Sequence, residues 1–547
     1  MADMTTAKAA KQVAKLRAAL RDREARVHEL EERLAALESS TTMQFGRVFA
    51  QAARRPARGA VRLPRQLYRL WKHRDAPQPA ASGERRTGLD LNGLPRPEDR
   101  LLLAVPTLAG PADTITIAGV LGPACLATAT DFARVVSLLP HDAVLALETA
   151  DADMVVVDAA AGAPGGAWAY LGEPGMYDRE QALGALLETA RGRGLPVVLW
   201  DETGSGEEPG AAPPGLARLE WSATGSPGVS LRRFNPVGAV VRDTVPVIVE
   251  PFGASARVPP GVRRAVADIA VTIGARTVTS DPRALPGLLR RSAITLALTP
   301  GQVPEQLAAG ALVLCPAPVA ARLPADLREH VYTVAEGGAA RPGGPGVELA
   351  GRPGGAENTV AVAALAAAAG GHDPRPALRT LFVRYATPVR LAALCESLGL
   401  RADPLRERRV AVVADVADAA AALRLVAGLQ AQIHRPAEAV MTGPGAAIAA
   451  GELAERGIVA HSSAEAARSA WIAPWPTRDE IPATHLVDLV CAAECSGADA
   501  VGGTGGGAAA PYTFVTDIEP ALVRREWYGL GGSPAQWAAQ GARLLSL

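Results

Sequence analysis

From about Lys8 to Ser39 the apolar positions Val13, Leu16, Leu20, Val27, Leu30, Leu34 and Leu37 recur at alternating steps of three and four, with Arg23 interrupting. That period predicts a coiled coil over residues 1–40, with Val13, Leu20, Val27 and Leu34 at a and Leu16, Arg23, Leu30 and Leu37 at d. β-Branched residues at some a positions with Leu at d favour a parallel homodimer. One amphipathic helix packed on its own chain is the alternative, and the charged flanks favour self-association. In residues 41–74 the pattern changes. Arg47, Arg54, Arg55, Arg58, Arg62, Arg65, Arg69, Lys72 and Arg74 are interleaved with Phe45, Phe49, Leu67, Tyr68 and Trp71, and no acidic residue intervenes. Such a basic amphipathic segment suits peripheral contact with anionic lipid; a solvated helix docked on the protein fits the same pattern. Residues 75–97, rich in Pro, Gly and charge, read as a linker.

After the linker, short apolar runs alternate with helix-like segments, which is the signature of parallel α/β layers. Runs at 101–105, 114–118, 153–158 and 196–200 form a first series, and those at 245–249, 271–273, 294–298 and 311–314 a second. Residues 337–355 form a Gly/Pro-rich loop and 375–400 are helical. A third α/β unit starts with runs at 409–414, 437–441 and 457–460. The expected division is a coiled coil at 1–40, a basic segment and linker at 41–98, Rossmann-like halves at 99–230 and 231–400, and a further module at 401–547.

Composition narrows the possibilities. At 547 residues and 48% hydrophobic content the chain has material for several cores. Its 56 basic and 56 acidic residues balance, so the chain as a whole lacks the charge signature of a nucleic-acid binder. Five scattered cysteines, with no Cys/His group at zinc-ligand spacing, fit a reduced cytoplasm, and Cys491 and Cys495, four apart among apolar residues, read as core packing. No apolar run reaches the roughly 20 residues of a membrane span, and the polar start does not resemble a classical export signal. Abundant alanine looks like the coding bias of a GC-rich bacterial genome.

The most informative stretch for chemistry is Val303-Pro304-Glu305-Gln306-Leu307-Ala308-Ala309-Gly310, leading into Ala311-Leu312-Val313-Leu314. A helix amino terminus favours a bound pyrophosphate through free N–H groups and the macrodipole, and Glu305 in the first turn could accept from a ribose diol. The plain alternative has Glu305 complementing the dipole and Gly310 as the C-cap. Residues 502–510 are low in complexity and lack the lysine of a P-loop.

Several segments, in order, resemble a bacterial family that pairs a spore-maturation-type glycosyltransferase module with a C-terminal family 2 glycosyltransferase module. They are Asp151-Ala152-Asp153-Met154-Val155-Val156-Val157-Asp158, Gly165-Gly166-Ala167-Trp168, Gly194-Leu195-Pro196-Val197-Val198-Leu199-Trp200, Phe234-Asn235-Pro236, the Glu305 stretch, and Leu381-Phe382-Val383-Arg384-Tyr385-Ala386-Thr387-Pro388. In the third module the likeness runs through Arg409-Val410-Ala411-Val412-Val413, through Gly428-Leu429-Gln430-Ala431-Gln432-Ile433-His434-Arg435-Pro436 and through His485-Leu486-Val487-Asp488-Leu489-Val490. The resemblance implies two Rossmann-like halves of GT-B type followed by a truncated GT-A-like module. It also implies transfer of a sugar from a nucleotide-diphosphate sugar to an envelope or spore-surface glycan acceptor.

The chain departs from that family where the chemistry would sit. Pro476-Thr477-Arg478-Asp479 stands where a run of aspartates would hold a divalent cation, Ala297 where a second carboxylate would stand, and Glu250-Pro251-Phe252-Gly253 where a phosphate clamp would follow a strand. Arg263 and Arg264 are the nearest replacement cations, although a helix-surface role is the commoner fate of such a pair. The substrate-binding residues expected are Glu305, Gly310, Arg263 and Arg264, with no catalytic base, metal or cofactor assigned. A catalytically weakened paralogue, dimeric and acting as scaffold or partner, is the competing expectation.

Overall fold

A computed structural model describes residues 115–547 apart from residues 164–165, 172–176, 202–215, 217–218, 239–240, 252–257, 259, 335–339, 343–364, 477–479 and 505–510. The coiled coil, the basic segment, the linker and the run at 101–105 lie outside the described residues.

The first sheet is wholly parallel. Its elements are β1 (Thr116–Val120), α1 (Pro123–Thr130), β2 (Arg134–Ser137), α2 (Ala143–Thr149), β3 (Met154–Asp158), α3 (Tyr177–Gly192), β4 (Val197–Trp200) and β5 (Ala223–Gly225), and the strand order is β2-β1-β3-β4-β5. Continuous apolar runs suit strands covered on both faces, and β3 shows how they are used. Val155 and Val157 join Leu147, Leu183 and Leu186 on one side, whereas Met154 and Val156 join Ile117, Val198 and Trp200 on the other. That second side is completed by Leu391, Leu394 and Cys395, residues that belong by sequence to the segment after the second sheet.

The second sheet comprises β6 (Val247–Pro251), α4 (Pro260–Ile273), β7 (Arg276–Ser280), α5 (Leu285–Arg291), β8 (Ile294–Leu296), α6 (Val303–Ala308), β9 (Leu312–Pro316), α7 (Ala317–Ala320), α8 (Ala325–Arg328), β10 (Tyr332–Val334) and β11 (Ala340–Pro342). The order is β11-β10-β9-β8-β6-β7, with only β11 antiparallel. The sequence run at 271–273, expected as a strand, is the last turn of α4. Helical period decides it: Val262, Val266, Ile269 and Ile273 face the core, while Val271 is 74% exposed. The strand that follows, β7, is polar and lies at the sheet edge.

Helix α9 (Arg375–Thr380) widens into a π-helical turn at Leu381–Tyr385 and continues as α10 (Thr387–Ser397), which carries the chain back over the first sheet. Where it crosses, Val229 N donates to Tyr385 O and Thr387 N to Val229 O, so the outgoing and returning segments of the chain are bonded to each other.

The third module contains β12 (Val410–Asp415), α11 (Ala419–Ala431), β13 (Glu438–Thr442), α12 (Ala446–Ala454), β14 (Val459–His461), β15 (Trp471–Pro474), α13 (His485–Ser496), β16 (Ala500–Gly503), β17 (Thr513–Val515), β18 (Glu519–Arg524), α14 (Arg525–Leu530), α15 (Pro534–Ala539) and β19 (Leu544–Ser546). The mixed sheet runs β14-β13-β12-β15-β18-β16-β19-β17, with β18 antiparallel to both of its neighbours. Asp418 caps α11 by accepting from Ala421 N at 2.7 Å, and Gly497, in the left-handed region, closes α13. One hydrophobic core runs through the second and third modules, from Val247 and Leu314 through Phe382 to Val412 and Leu489. All five cysteines are buried and unbridged, Cys491 and Cys495 within that core. Among the described residues no helix is long and apolar enough to cross a membrane.

Candidate functional site

In doubly wound sheets ligands bind beyond the carboxyl ends of the strands, where the strand order reverses. The three sheets place such points between β1 and β3, β6 and β8, and β12 and β15.

At the first, Gly122 N donates to Asp158 Oδ2 at 2.9 Å and Ala160 N to Asp158 Oδ1 at 2.8 Å, with Asp158 buried. A Cβ on Gly122 would stand 2.8 Å from the same carboxylate oxygen. The amino end of α1 therefore already faces a carboxyl group belonging to the chain.

At the second, one glutamine fills the turn. Gln302 Nε2 donates to Val249 O at 2.9 Å, and its Oε1 accepts from Leu298 N at 2.9 Å and Thr299 N at 3.3 Å. Thr299 completes a capping box around Pro300–Gln302, the turn that enters α6. Glu305 is half-buried in the first turn of this six-residue helix. Gly310 lies past its other end, at φ +76°, where only glycine is at ease. There Arg242 donates to Ala309 O at 3.0 Å and to Gly310 O. Glu305 and Gly310 thus stand at opposite ends of α6. Ala297 is fully buried in the core, where a carboxylate would be costly.

Arg263 and Arg264 are both exposed on α4. Arg263 borders a cleft of ≈ 180 Å³ beside Glu250, Ile248, Val266 and Leu298, between α4 and the carboxyl end of β6. Arg264, Glu305 and Gly310 are not among its lining residues.

At the third point, Asp415 Oδ1 accepts from Thr442 Oγ1 at 3.0 Å. The loops after β12 and β13 are pressed together: a Cβ on Gly443 would stand 2.6 Å from Val416 O, and one on Gly445 2.4 Å from Asp418 O. Trp475, just after β15, lies against Gly428 and edge-on to His485 at 6.2 Å. Residues 477–479 lie outside the described residues, and among the described ones no three His, Cys, Asp or Glu side chains group as a metal site.

Sequence reasoning passed over Asp158, Gln302, Arg242 and Trp475. A signal existed for Gln302, because Thr299-Pro300-Gly301-Gln302 has capping-box spacing.

These features define an α/β protein with two Rossmann-like, largely parallel sheets and a third, mixed sheet. No family model matches the chain, and no curated protein matches it significantly.

Proposed function

We propose that this is a glycosyltransferase-like protein of the two-module type whose donor site has been weakened, acting as a scaffold or partner of an active glycosyltransferase. The observation that supports it is the self-satisfaction of the crevices in both Rossmann-like halves. Gln302 takes the backbone groups at β6 and β8, and Asp158 takes the Gly122 and Ala160 amides, donors that a diphosphate would need. The third sheet, with one antiparallel strand let in beside β15, suits the GT-A-like module that the resemblance implies. Dimerisation through residues 1–40 and contact of residues 41–74 with anionic membrane at the cytoplasmic face belong to the same reading.

Retained transfer is the second reading, and the cleft at Arg263 is the observation in its favour. A nucleotide-diphosphate sugar would lay its diphosphate toward Arg263 and Arg264, with Glu305 toward the ribose, and pass the sugar to a glycan acceptor.

Thermal unfolding with uridine, guanosine and thymidine diphosphate sugars separates the two. The scaffold reading expects no donor to stabilise the protein at millimolar concentration. Saturable stabilisation that disappears in Arg263→Ala would overturn it and establish donor binding.

A further inference from the structure

We propose a separate anion site at the amino edge of the second sheet, formed by Arg242 and Arg290 and taking a phosphate-type dianion.

The site is fixed by backbone carbonyls. Arg242 is planted on the carbonyls of Ala309 and Gly310, just before β9. Arg290, in the last turn of α5, donates through Nε to Asn235 O at 3.2 Å and through Nη2 to Arg233 O at 3.3 Å. Pro236 lies between the two anchors. A Cβ on Gly310 would stand 3.1 Å from Pro236 Cβ and 2.9 Å from Arg242 Nη2. Both guanidiniums are therefore held still while keeping further N–H donors in hand.

Charge compensation is what the neighbourhood lacks. Asp243 is engaged by Arg276 at 2.8 Å, Asp373 by Arg375 at 3.0 Å, Asp326 by Arg384 at 2.9 Å and Asp488 by Arg379 at 2.5 Å. Among the described residues no carboxylate pairs with Arg242 or Arg290. Burial and then the charge of Arg290 press the Arg242 pKa down. Burial and then Arg242 hold His372 below the ordinary histidine range, against an opposing pull from Asp373, with His330 adding to the depression. His330 is itself held low by burial against the pull of Glu329 and Asp326.

Carbonyl dipoles soften two like charges but do not neutralise them. A dianion bridging two immobile guanidiniums would, with charge-assisted hydrogen bonds that a guanidinium makes well to phosphate. This is the edge opposite the carboxyl-end crevices, so the site does not depend on the fate of the donor site.

The test uses the full chain and compares sodium sulfate, sodium phosphate and a nucleoside diphosphate with sodium chloride at equal ionic strength, read by thermal unfolding and calorimetric titration. Saturable stabilisation by sulfate and phosphate beyond chloride is expected, weakened about tenfold in Arg290→Gln and unaffected by Arg263→Ala. Tighter binding of the nucleoside diphosphate, still lost in R290Q, would mark a nucleotide as the source of the phosphate; equal binding would mark the free ion. Should R290Q fail to fold, Arg290→Lys, which keeps the charge but loses the paired N–H donors of the guanidinium, should still weaken sulfate binding severalfold. A chloride-like response of the parent protein, or unchanged sulfate affinity in every variant that folds, overturns the proposal.

Discussion

Removing Glu494 tests whether the second and third modules stand as one body. Arg408 donates through Nε to Glu494 Oε2 at 2.6 Å and through Nη2 to Oε1 at 2.7 Å, and the two side chains are 6% and 7% exposed. Its Nη1 crosses to the second module and donates to Phe382 O at 2.7 Å, with the guanidinium 3.8 Å above the Phe382 ring. His434 Nε2 meets Arg408 O at 2.8 Å and packs edge-on to the same ring. Glu494→Ala leaves a buried guanidinium with one carbonyl and one ring for company. Breaking such a pair from one side costs about 3–5 kcal/mol, whereas replacing both partners by apolar groups of similar volume is often neutral or stabilising. Urea unfolding followed by tryptophan fluorescence is the assay, since urea does not screen charge. E494A should lose about 3–5 kcal/mol, and Arg408→Met with Glu494→Leu should recover most of that loss. A loss below about 1 kcal/mol for E494A, the range of exposed pairs, would refute the reasoning. So would a double variant as unstable as E494A.

Three further outcomes follow from single contacts. Gly310→Ala should lower stability by at least about 1–2 kcal/mol, the cost of a left-handed non-glycine residue, because the added Cβ also meets Arg242 and Pro236; a melting temperature equal to that of the parent protein would contradict the cap. Gln302→Leu strands Leu298 N, and should cost about 1–3 kcal/mol; an unchanged denaturation midpoint would mean the turn is held elsewhere. Acid should destabilise the fold in two stages, read as melting temperature against pH. Burial, then the Arg408 charge, outweighs the Arg408 carbonyl contact and keeps His434 below its ordinary 6.5, so its share of stability is present above 6.5 and falls away as pH drops through its folded value. Burial raises Asp326 and Glu438, but hydrogen bonds from Tyr385 and Arg384 to the first, and from Ser469 and the Arg468 amide to the second, outweigh it. Their shares are therefore lost only as pH falls below 3.8 and 4.5. A melting temperature flat from pH 7 to pH 3 would sink this.

Much of the fold was legible because buried parallel strands are nearly pure apolar runs. The runs at 153–158, 196–200, 294–298 and 437–441 coincide with β3, β4, β8 and β13 to within a residue or two. What failed is as physical. Edge strand β7, Arg-Thr-Val-Thr-Ser, has one face to solvent and no apolar run, while the last turn of α4 offered Val271-Thr272-Ile273, whose β-branched residues mimic a strand. The return of α10 to the first sheet was hidden for another reason: Leu391, Leu394 and Cys395 give a good helical stripe, but a stripe does not say which sheet it covers.

Site residues were harder still, because their roles come from partners far along the chain. Glu305 and Gly310 looked like a donor site in a local reading of α6. Gly310 gains its meaning from Arg242, 68 residues away, and the amino end from Gln302 reaching Val249, 53 residues away. A carboxylate in the first turn of a helix has the same sequence signature whether it meets a ribose or simply complements the dipole. What separates the cases is whether neighbouring N–H groups are still open, and that depends on the side chain of the residue at the capping-box position. Here Gln302 folds back and takes Leu298 N and Thr299 N. A ligand competing for that turn would have to displace a side chain that already donates to Val249 O, so the same bonds that order the turn raise the cost of binding there.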